Sequence, residues 1–159
     1  MNVILFDKNR KNYYPLSFTR PIAYFRVGIL TIKEKWERYC NFVSVKTEAY
    51  LSEKFLLKTE EDNLWIDART LPSRALVTEL NSLRHGEALA KNGHIFAFRN
   101  RVFDIKKLNI IDSNSSYNFI SSLCDIFLLN GIEIKNDFTF LVKRKSQEIN
   151  KTNILLGNE

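Results

Sequence analysis

The hydrophobic pattern of the chain begins with an unbroken apolar run from Val3 to Phe6. Four consecutive apolar residues predict a strand that is buried on both faces, as in the middle of a parallel sheet. Asp7 ends this run, and apolar residues then recur at helical spacing between Val27 and Cys40. Strand, polar loop and amphipathic helix in this order are typical of the start of a ligand site in α/β proteins.

The pattern then alternates between the two kinds of element. Short strands are predicted at 42–45 and 64–66, where β-branched and aromatic residues are frequent. Helices are predicted at 47–55 and 73–83, and Ser73 is a suitable N-cap for the second of them.

A β-hairpin is predicted around Asn92-Gly93. This pair tolerates the positive φ angles of a two-residue turn, and it joins two apolar runs at 88–91 and 94–99. The following segment 105–111 fits neither period, and 112–116 is polar enough to form a loop.

Two more helices are predicted at 121–129 and 132–142, because Gly131 after Asn130 is suited to a left-handed helix end. Asn130 therefore has two interpretations: it closes a helix, or it contacts a ligand. The elements together predict an α/β fold, a Rossmann-like open and mostly parallel sheet with helices on both faces and a β-hairpin.

Basic residues cluster in the loop after the first strand, at Lys8, Arg10, Lys11, Arg20 and Arg26. Ligands bind at the carboxyl ends of the strands in open α/β sheets, so this cluster favours an anionic ligand. Two prolines restrict the loop, and we expect Lys8, Arg10 and Arg20 to point into one shared cleft. The alternative is a structural arm whose basic side chains lie in water.

Composition limits the classes of protein to which the chain can belong. Its 159 residues, 45% of them apolar, predict one compact domain with a sizeable core. The sequence has neither a run of about 18 apolar residues nor a signal-peptide pattern, which predicts a cytoplasmic protein. Cys40 and Cys124 are isolated among apolar neighbours, so both are expected to be buried, reduced thiols.

The net charge of +6 raises nucleic acid as a partner, but the charge distribution disfavours it. Lys and Arg are interleaved with Asp and Glu along 33–38 and 48–61, as on ordinary solvated helices, and the chain has no nucleic-acid motif. Besides the loop after the first strand, only 143–145 is locally basic. Nucleic acid is therefore the least favoured of the partners considered.

The segments PLSFTRP at 15–21 and FRVGILTIKEKWE at 25–37 resemble the opening of a family of bacterial sugar nucleotidyltransferases. These are proteins similar to the bifunctional N-acetylglucosamine-1-phosphate uridylyltransferase and glucosamine-1-phosphate acetyltransferase. Further matches follow in order, so that the resemblance covers nearly the whole chain: YLSEKF at 50–55, Leu71-Pro72, GEALAKNG at 86–93 and DIFLLNGIEIKNDF at 125–138.

The resemblance implies a nucleotidyltransferase-like domain at 1–145 and a linker at 146–159. In the family such a domain precedes a left-handed β-helix of hexapeptide repeats with acyltransferase activity, so the chain is expected to be truncated before it. The implied reaction joins a nucleoside triphosphate to a sugar 1-phosphate and releases pyrophosphate. Mg²⁺ is the implied cofactor, and neither the sugar nor the base can be predicted.

The implied site residues fall in three groups. Arg10 and Arg20 are the candidate catalytic cations, and Asp67, placed somewhat like the metal-binding Asp of the family, is the candidate magnesium ligand. The candidate substrate-binding residues are Asp7, Lys8, Arg26 and Asn130. Asp67 has an alternative role, which is to end a strand and begin a turn. His85 and His94 have no partner pattern and are expected to be surface or hairpin residues.

The chain departs from well-studied members of this class at the first loop. They carry a Gly-rich G-x-G-T-R signature whose backbone N–H groups approach the phosphates. Residues 7–10 of this chain, DKNR, contain no glycine, so phosphates would have to be held by side-chain charge. The alternative function is therefore a degenerate, non-catalytic domain that serves assembly or regulation of an attached acyltransferase.

Overall fold

The sheet is the framework of the fold in the computed structural model, which describes residues 2–142, 150, 152–154 and 156–157. Among these residues six strands form one sheet in the order β2-β1-β3-β5-β4-β6. The strands are β1 Asn2–Phe6, β2 Val43–Lys46, β3 Asn63–Asp67, β4 Glu87–Lys91, β5 His94–Asn100 and β6 Asn109–Asp112. The α-helices are α1 Ile32–Trp36, α2 Ala49–Ser52, α3 Arg74–Ser82 and α4 Leu123–Leu141, and short 3-10 helices lie at Arg10–Tyr13, Leu16–Phe18 and Ile22–Tyr24.

The first strand lies inside the sheet, as the apolar run predicts. β1 pairs in parallel with β2 on one side and β3 on the other, and all five of its residues are buried. The sheet is mixed, because β5 is antiparallel to both β3 and β4, whereas β6 is parallel to β4. An open α/β sheet is therefore confirmed.

The predicted hairpin is also confirmed. β4 and β5 pair directly on either side of Asn92 and Gly93, whose φ angles are 52° and 73°. Positive φ at both central residues is the requirement of a type I′ turn, which Asn-Gly meets at low cost.

The main core lies on one face of the sheet. Trp36 of α1, Leu76 and Leu80 of α3 and the apolar side chains at the start of α4 pack there against β1 and β3. The opposite face carries a smaller cluster of strand residues. Phe103, from the segment after β5, packs edge-on against three aromatic rings of that face at centroid distances of 5.1, 5.3 and 5.5 Å. The sequence predicts helices on both faces, and in the described residues this second cluster is covered by a loop segment.

The helix predicted from Val27 to Cys40 is shorter in the structure. α1 begins only at Ile32, after a capping box in which Thr31 and Glu34 satisfy each other's backbone N–H groups. The residues before it form a tight turn, in which Gly28 has a φ of +85°.

The helix break predicted at Asn130-Gly131 is wrong. α4 is continuous through both residues. An interior glycine costs a helix only about 1 kcal/mol, and tertiary contacts on both sides of Gly131 outweigh that cost. The ambiguous segment 105–111 contributes instead to β6, which pairs with β4.

The cysteines are free thiols, as predicted, but only one of them is shielded. Cys40 is half-buried, and burial raises the pKa of its thiol. Cys124 is exposed on α4, so the prediction of burial is wrong for it. In the described part of the chain, no helix is long and apolar enough to cross a membrane. The basic residues 143–145 and most of the predicted linker 146–159 lie outside the described residues.

Candidate ligand site at the strand ends

The carboxyl ends of three parallel strands meet at one edge of the sheet. Thr47 follows β2, Asp7 follows β1, and Asp67 ends β3. All three side chains are polar, whereas the strands before them are buried and largely apolar. This edge is where ligands bind in open α/β sheets, so it is the candidate functional site.

Asp7 organises the loop after β1. Its Oδ2 accepts a 2.6 Å hydrogen bond from Thr47 and contacts the guanidinium of Arg10, while its Oδ1 accepts the N–H of Ile22 at 2.9 Å. Burial raises the pKa of the Asp7 carboxyl, and these donors oppose that rise. The carboxylate thereby ties β1, β2 and the distant end of the loop together.

Arg10 lies inside this loop and is only 8% exposed. Besides Asp7, it donates to Thr47 Oγ1 at 3.1 Å, to Tyr50 Oη at 3.0 Å and to the carbonyl of Ser17. Burial alone would lower its pKa, but the bonds to Asp7 and Tyr50 raise it. The guanidinium is thus neutralised and bonded within the fold.

A second buried ion pair follows β3. Arg69 donates to Asp67 through Nε at 2.8 Å and through an Nη at 2.6 Å, and its backbone N–H adds a third bond of 3.1 Å. Asp67 is fully buried, and the guanidinium of Arg69 lies 4.7 Å from the centre of the Phe119 ring. Bidentate geometry of this kind makes a strong and rigid pair.

These carboxylates do not suit a magnesium site of the protein's own. Mg²⁺ prefers exposed oxygen ligands and usually keeps several waters. Both oxygens of Asp67 accept bonds from Arg69, and both oxygens of Asp7 accept bonds within its loop. The described residues contain no group of three or more acidic, His or Cys side chains that could hold a metal.

Lys8 differs from both arginines. Its ammonium has no hydrogen-bond or ion-pair partner of its own among the described residues, and burial lowers its pKa. It lies close enough to the ion pair after β3 for Asp67 to raise that pKa and for Arg69 to lower it. Since Asp67 and Arg69 cancel each other, Lys8 leaves an uncompensated positive charge at the strand ends.

His94, the first residue of β5, completes this group. Its Nε2 lies 3.2 Å from Arg69 Nη and 3.6 Å from Asp67 Oδ2. Burial and the nearby charge of Lys8 lower the pKa of His94, which favours a neutral imidazole. The ring is 38% exposed and therefore reaches the surface of the site.

Lys8 stands at the rim of a cavity of about 360 Å³ with largely apolar walls. Its lining consists of Phe6, Asp7, Lys8, Asn9, Ile95, Phe98, Phe103 and Ile105. An apolar cavity of this size with a few polar groups at its rim is typical of small-molecule sites. A cavity of about 460 Å³ on the other side of Asn9 is lined by Arg10, Lys11 and Tyr50, among others.

The structure brings only some of the predicted site residues together. Asp7, Lys8, Arg10 and Asp67 lie at the strand ends, but Arg20 is exposed and lines neither of these two cavities. The expected shared cleft of Lys8, Arg10 and Arg20 is therefore wrong: Lys8 and Arg10 line different cavities, and Arg10 is enclosed in its loop.

The other two candidates take part in the turn before α1. The exposed Arg26 donates to the carbonyl of Ile29 within that turn. Asn130 accepts the N–H of Gly28 at 2.8 Å through its Oδ1 and so connects α4 to the same turn. Both side chains have a structural use in this arrangement.

Sequence reasoning missed four residues of the site, namely Thr47, Tyr50, Arg69 and His94. Thr47 and Arg69 follow strands β2 and β3 closely, so the rule that singles out the loop after β1 also points to them. His94 has no such signal, because its place depends on the antiparallel return of the hairpin beside β3.

Residues 3–146 match the family model described as sugar nucleotidyl transferase. The comparison with curated proteins gives no match.

Proposed function

The chain belongs to the sugar nucleotidyl transferase family, and on this basis we propose that its domain joins a nucleoside triphosphate to a sugar 1-phosphate at the carboxyl ends of β1 and β3. An oxygen of the sugar phosphate would attack the α-phosphorus, and the bond to the bridging oxygen would break to release pyrophosphate. Such a transfer depends mainly on positioning and on neutralising charge.

The observation that carries the proposal is the unpartnered ammonium of Lys8, within the described residues, beside an apolar cavity. The triphosphate has several negative charges to neutralise, and Lys8 is the half-buried cation at the strand ends that no described carboxylate neutralises. A charged hydrogen bond in a partly buried place is stronger than the same bond in water. Lys8 is therefore assigned to a phosphate of the nucleotide.

The cavity beside Lys8 is assigned to the base or the sugar. Phe103, which is 41% exposed, provides an accessible ring, and Ile95 and Ile105 add aliphatic wall. Flat, partly apolar groups gain from stacking on such a ring. His94 does not line this cavity. Its imidazole lies beside Asp67 and Arg69, and the neutral form that a lowered pKa favours would supply a hydrogen bond to the ligand at that point without adding charge.

The two buried ion pairs are assigned to positioning. Asp7 with Arg10 fixes the start of the loop that carries Lys8, and Asp67 with Arg69 fixes the end of β3 beside it. Mg²⁺, which the family resemblance implies, would then have to arrive on the triphosphate, because the buried carboxylates are already used by their arginines.

A second candidate is a non-catalytic domain that serves assembly or regulation. The specific observation in its favour is that Arg10 and Arg69 are both neutralised inside the fold, while the loop after β1 lacks glycines. A flexible Lys side chain must also be ordered on binding, which costs roughly 0.5–1.5 kcal/mol. We therefore expect weak binding and slow turnover by this chain.

The test is pyrophosphate release from a panel of nucleoside triphosphates with hexose and hexosamine 1-phosphates, in buffer that contains Mg²⁺. Slow release that requires one specific pair of substrates supports transfer. Binding of a nucleotide without release with any pair supports the non-catalytic alternative, and the absence of both binding and release contradicts the proposed site.

The proposal extends to the rest of the gene. If the resemblance of residues 15–37 to bifunctional uridylyl- and acetyltransferases extends along the gene, a β-helix of hexapeptide repeats follows this domain. The full gene sequence tests this extension directly, because the repeats either follow Glu159 or do not.

A further inference from the structure

The long helix α4 exposes apolar side chains to solvent and buries charged ones against the domain. The side that faces the domain is polar in its second half: Glu133 and Asp137 are 4% and 2% exposed and hold the buried ammonium of Lys35 between them. Asp137 also accepts the N–H groups of Ile29 and Leu30 at 2.8 and 3.0 Å. These bonds fix the rotation of the helix about its own axis.

The outward side of α4 is apolar. Large apolar side chains are exposed along it, at Phe127 (88%), Leu128 (78%), Ile132 (52%), Ile134 (41%), Phe138 (56%) and Leu141 (39%). A surface helix normally turns its apolar stripe toward the core. An exposed contiguous apolar stripe on a folded domain marks an interaction surface.

The spacing of this stripe is that of a coiled-coil seam. Cys124, Phe127, Gly131, Ile134, Phe138 and Leu141 follow one another at alternating intervals of three and four residues. Apolar residues at this spacing form the contact line between two helices that pack side by side. The partner therefore presents a helix of similar length.

We propose that the partner is a second copy of this chain, with its α4 antiparallel to the first. The stripe is self-complementary about its midpoint between residues 132 and 133. An antiparallel copy then places Cys124 opposite Leu141, Phe127 opposite Phe138 and Gly131 opposite Ile134. In two of these layers a small residue meets a large one, as close packing requires.

Gly131 lies next to the twofold axis of this arrangement. A Cβ at this position would meet nothing within 4 Å in the single chain, so the space above it is open. A glycine at the crossing point lets the second helix approach closely and receives the branched side chain of Ile134 from the other copy. This explains a glycine inside a helix that it otherwise weakens.

The area is sufficient for a dimer. The stripe from Cys124 to Leu141 is about 26 Å long at 1.5 Å per residue. The two phenylalanines of each copy offer, at their observed exposure, on the order of 500 Å² for the pair of copies. With the aliphatic side chains beside them, the buried area reaches the roughly 1,000 Å² that separates biological interfaces from casual contacts.

A parallel dimer does not fit the same stripe. It would place Gly131 opposite Gly131 and leave a gap, and it would place Cys124 opposite Cys124. The antiparallel arrangement keeps the two Cys124 thiols about 26 Å apart. The two arrangements are therefore distinguishable by thiol chemistry.

The first experiment is analytical ultracentrifugation of the whole chain over a dilution series. We expect a monomer–dimer equilibrium that Phe127→Glu and Phe138→Lys each weaken by about 30-fold or more, the effect of losing one strong interface residue. The double variant should lose less affinity than the two single losses added together, because the carboxylate introduced in one copy then faces the ammonium introduced in the other. Thr139→Glu, on the flank of the helix, is the matched control and should change little.

The second experiment is mild oxidation of purified chains. Leu141→Cys should give a disulfide-linked dimer through the native Cys124, and the same variant with Cys124→Ala should not. The wild-type chain should give no disulfide-linked dimer. A monomeric wild-type chain at every concentration, a wild-type disulfide-linked dimer, or two losses that simply add in the double variant would overturn the proposal.

Discussion

At the scale of single residues, the candidate site contains two kinds of basic side chain: those that form ion pairs inside the fold, and one that has no such pair and that we assign to a ligand. Arg10 and Arg69 lie beside buried carboxylates and use their guanidinium groups inside the protein. Lys8 lies at the same edge of the sheet and has no such partner among the described residues. A count of basic residues in the loop cannot make this distinction, because it depends on which carboxylate each side chain meets.

The role of Arg10 predicts a large effect on stability. Arg10→Ala leaves the buried Asp7 carboxylate without its counter-ion, so the free energy of unfolding should fall by about 3–5 kcal/mol. Urea denaturation measures this free energy of unfolding. The matched control is Arg20→Ala, which removes an exposed arginine of the same loop and should change stability by no more than about 0.5 kcal/mol. Equal small effects of the two substitutions would contradict a structural role for Arg10.

The lowered pKa of His94 predicts that the free energy of unfolding depends on pH. Burial lowers its pKa below the ordinary value of 6.5, so the unfolded chain binds a proton more readily than the folded chain as the pH falls below 6.5. The contribution of His94 to the free energy of unfolding is therefore present above that pH and decreases below it. The effect should be modest, since the ring is 38% exposed.

Denaturation at a series of pH values between neutral and mildly acidic checks this prediction. His94→Gln should make the pH dependence shallower, whereas His85→Gln, at an exposed position, should leave it as in the wild type. A steeper dependence in His94→Gln would show that the sign is wrong.

At the scale of elements, the turn before α1 and the helix α4 form one unit. Gly28 has a φ of +85°, and a Cβ there would lie 2.7 Å from Asp137 Oδ2 and 2.8 Å from the carbonyl carbon of Glu133. Asn130 and Asp137 bind the N–H groups of the same turn. This contact joins two segments about 100 residues apart in the sequence.

Alanine substitutions at Gly28 and Gly86 test how closely the turn approaches α4. Gly86 also has a φ of +85°, but a Cβ there would meet nothing within 4 Å. Gly86→Ala should therefore cost only the backbone strain, about 1–2 kcal/mol. Gly28→Ala should lower the free energy of unfolding by roughly 1–3 kcal/mol more, because the helix must move. Chemical denaturation of both variants gives the difference, and equal costs would refute the close approach.

The sequence predicts well the elements whose pattern is local. The apolar run of β1, the Ser73 cap of α3 and the Asn92-Gly93 turn are all confirmed, since each depends on a few adjacent residues. The prediction fails at Asn130-Gly131 and at the start of α1, where Gly28, Asn130 and Asp137 meet across the fold. No local pattern reports a contact of that kind.

At the scale of the whole molecule, the parallel order β2-β1-β3 places three polar strand ends at one edge. The sequence predicts this edge as the site, because the rule for open α/β sheets needs only the first strand and its loop. It does not predict the histidine at 94 as a member, since the pairing of β3 with β5 brings His94 beside Asp67 and Arg69. The site is thus a product of strand order more than of any short motif.

The central claim is that Lys8 receives a nucleotide phosphate at this edge, and calorimetric titration of the chain with nucleoside triphosphates and Mg²⁺ tests it most directly. Lys8→Met should weaken the best-bound nucleotide by about 10–100-fold, the loss of one charged hydrogen bond, without lowering stability. The control is Lys58→Met, which should bind the nucleotide as the wild type does. Lys58 is exposed, and its backbone carbonyl accepts hydrogen bonds from Asn2 at the amino end of β1 and from Ser44 in β2. Equal affinity of Lys8→Met and wild type, or no binding of any triphosphate by the wild type, would contradict the account.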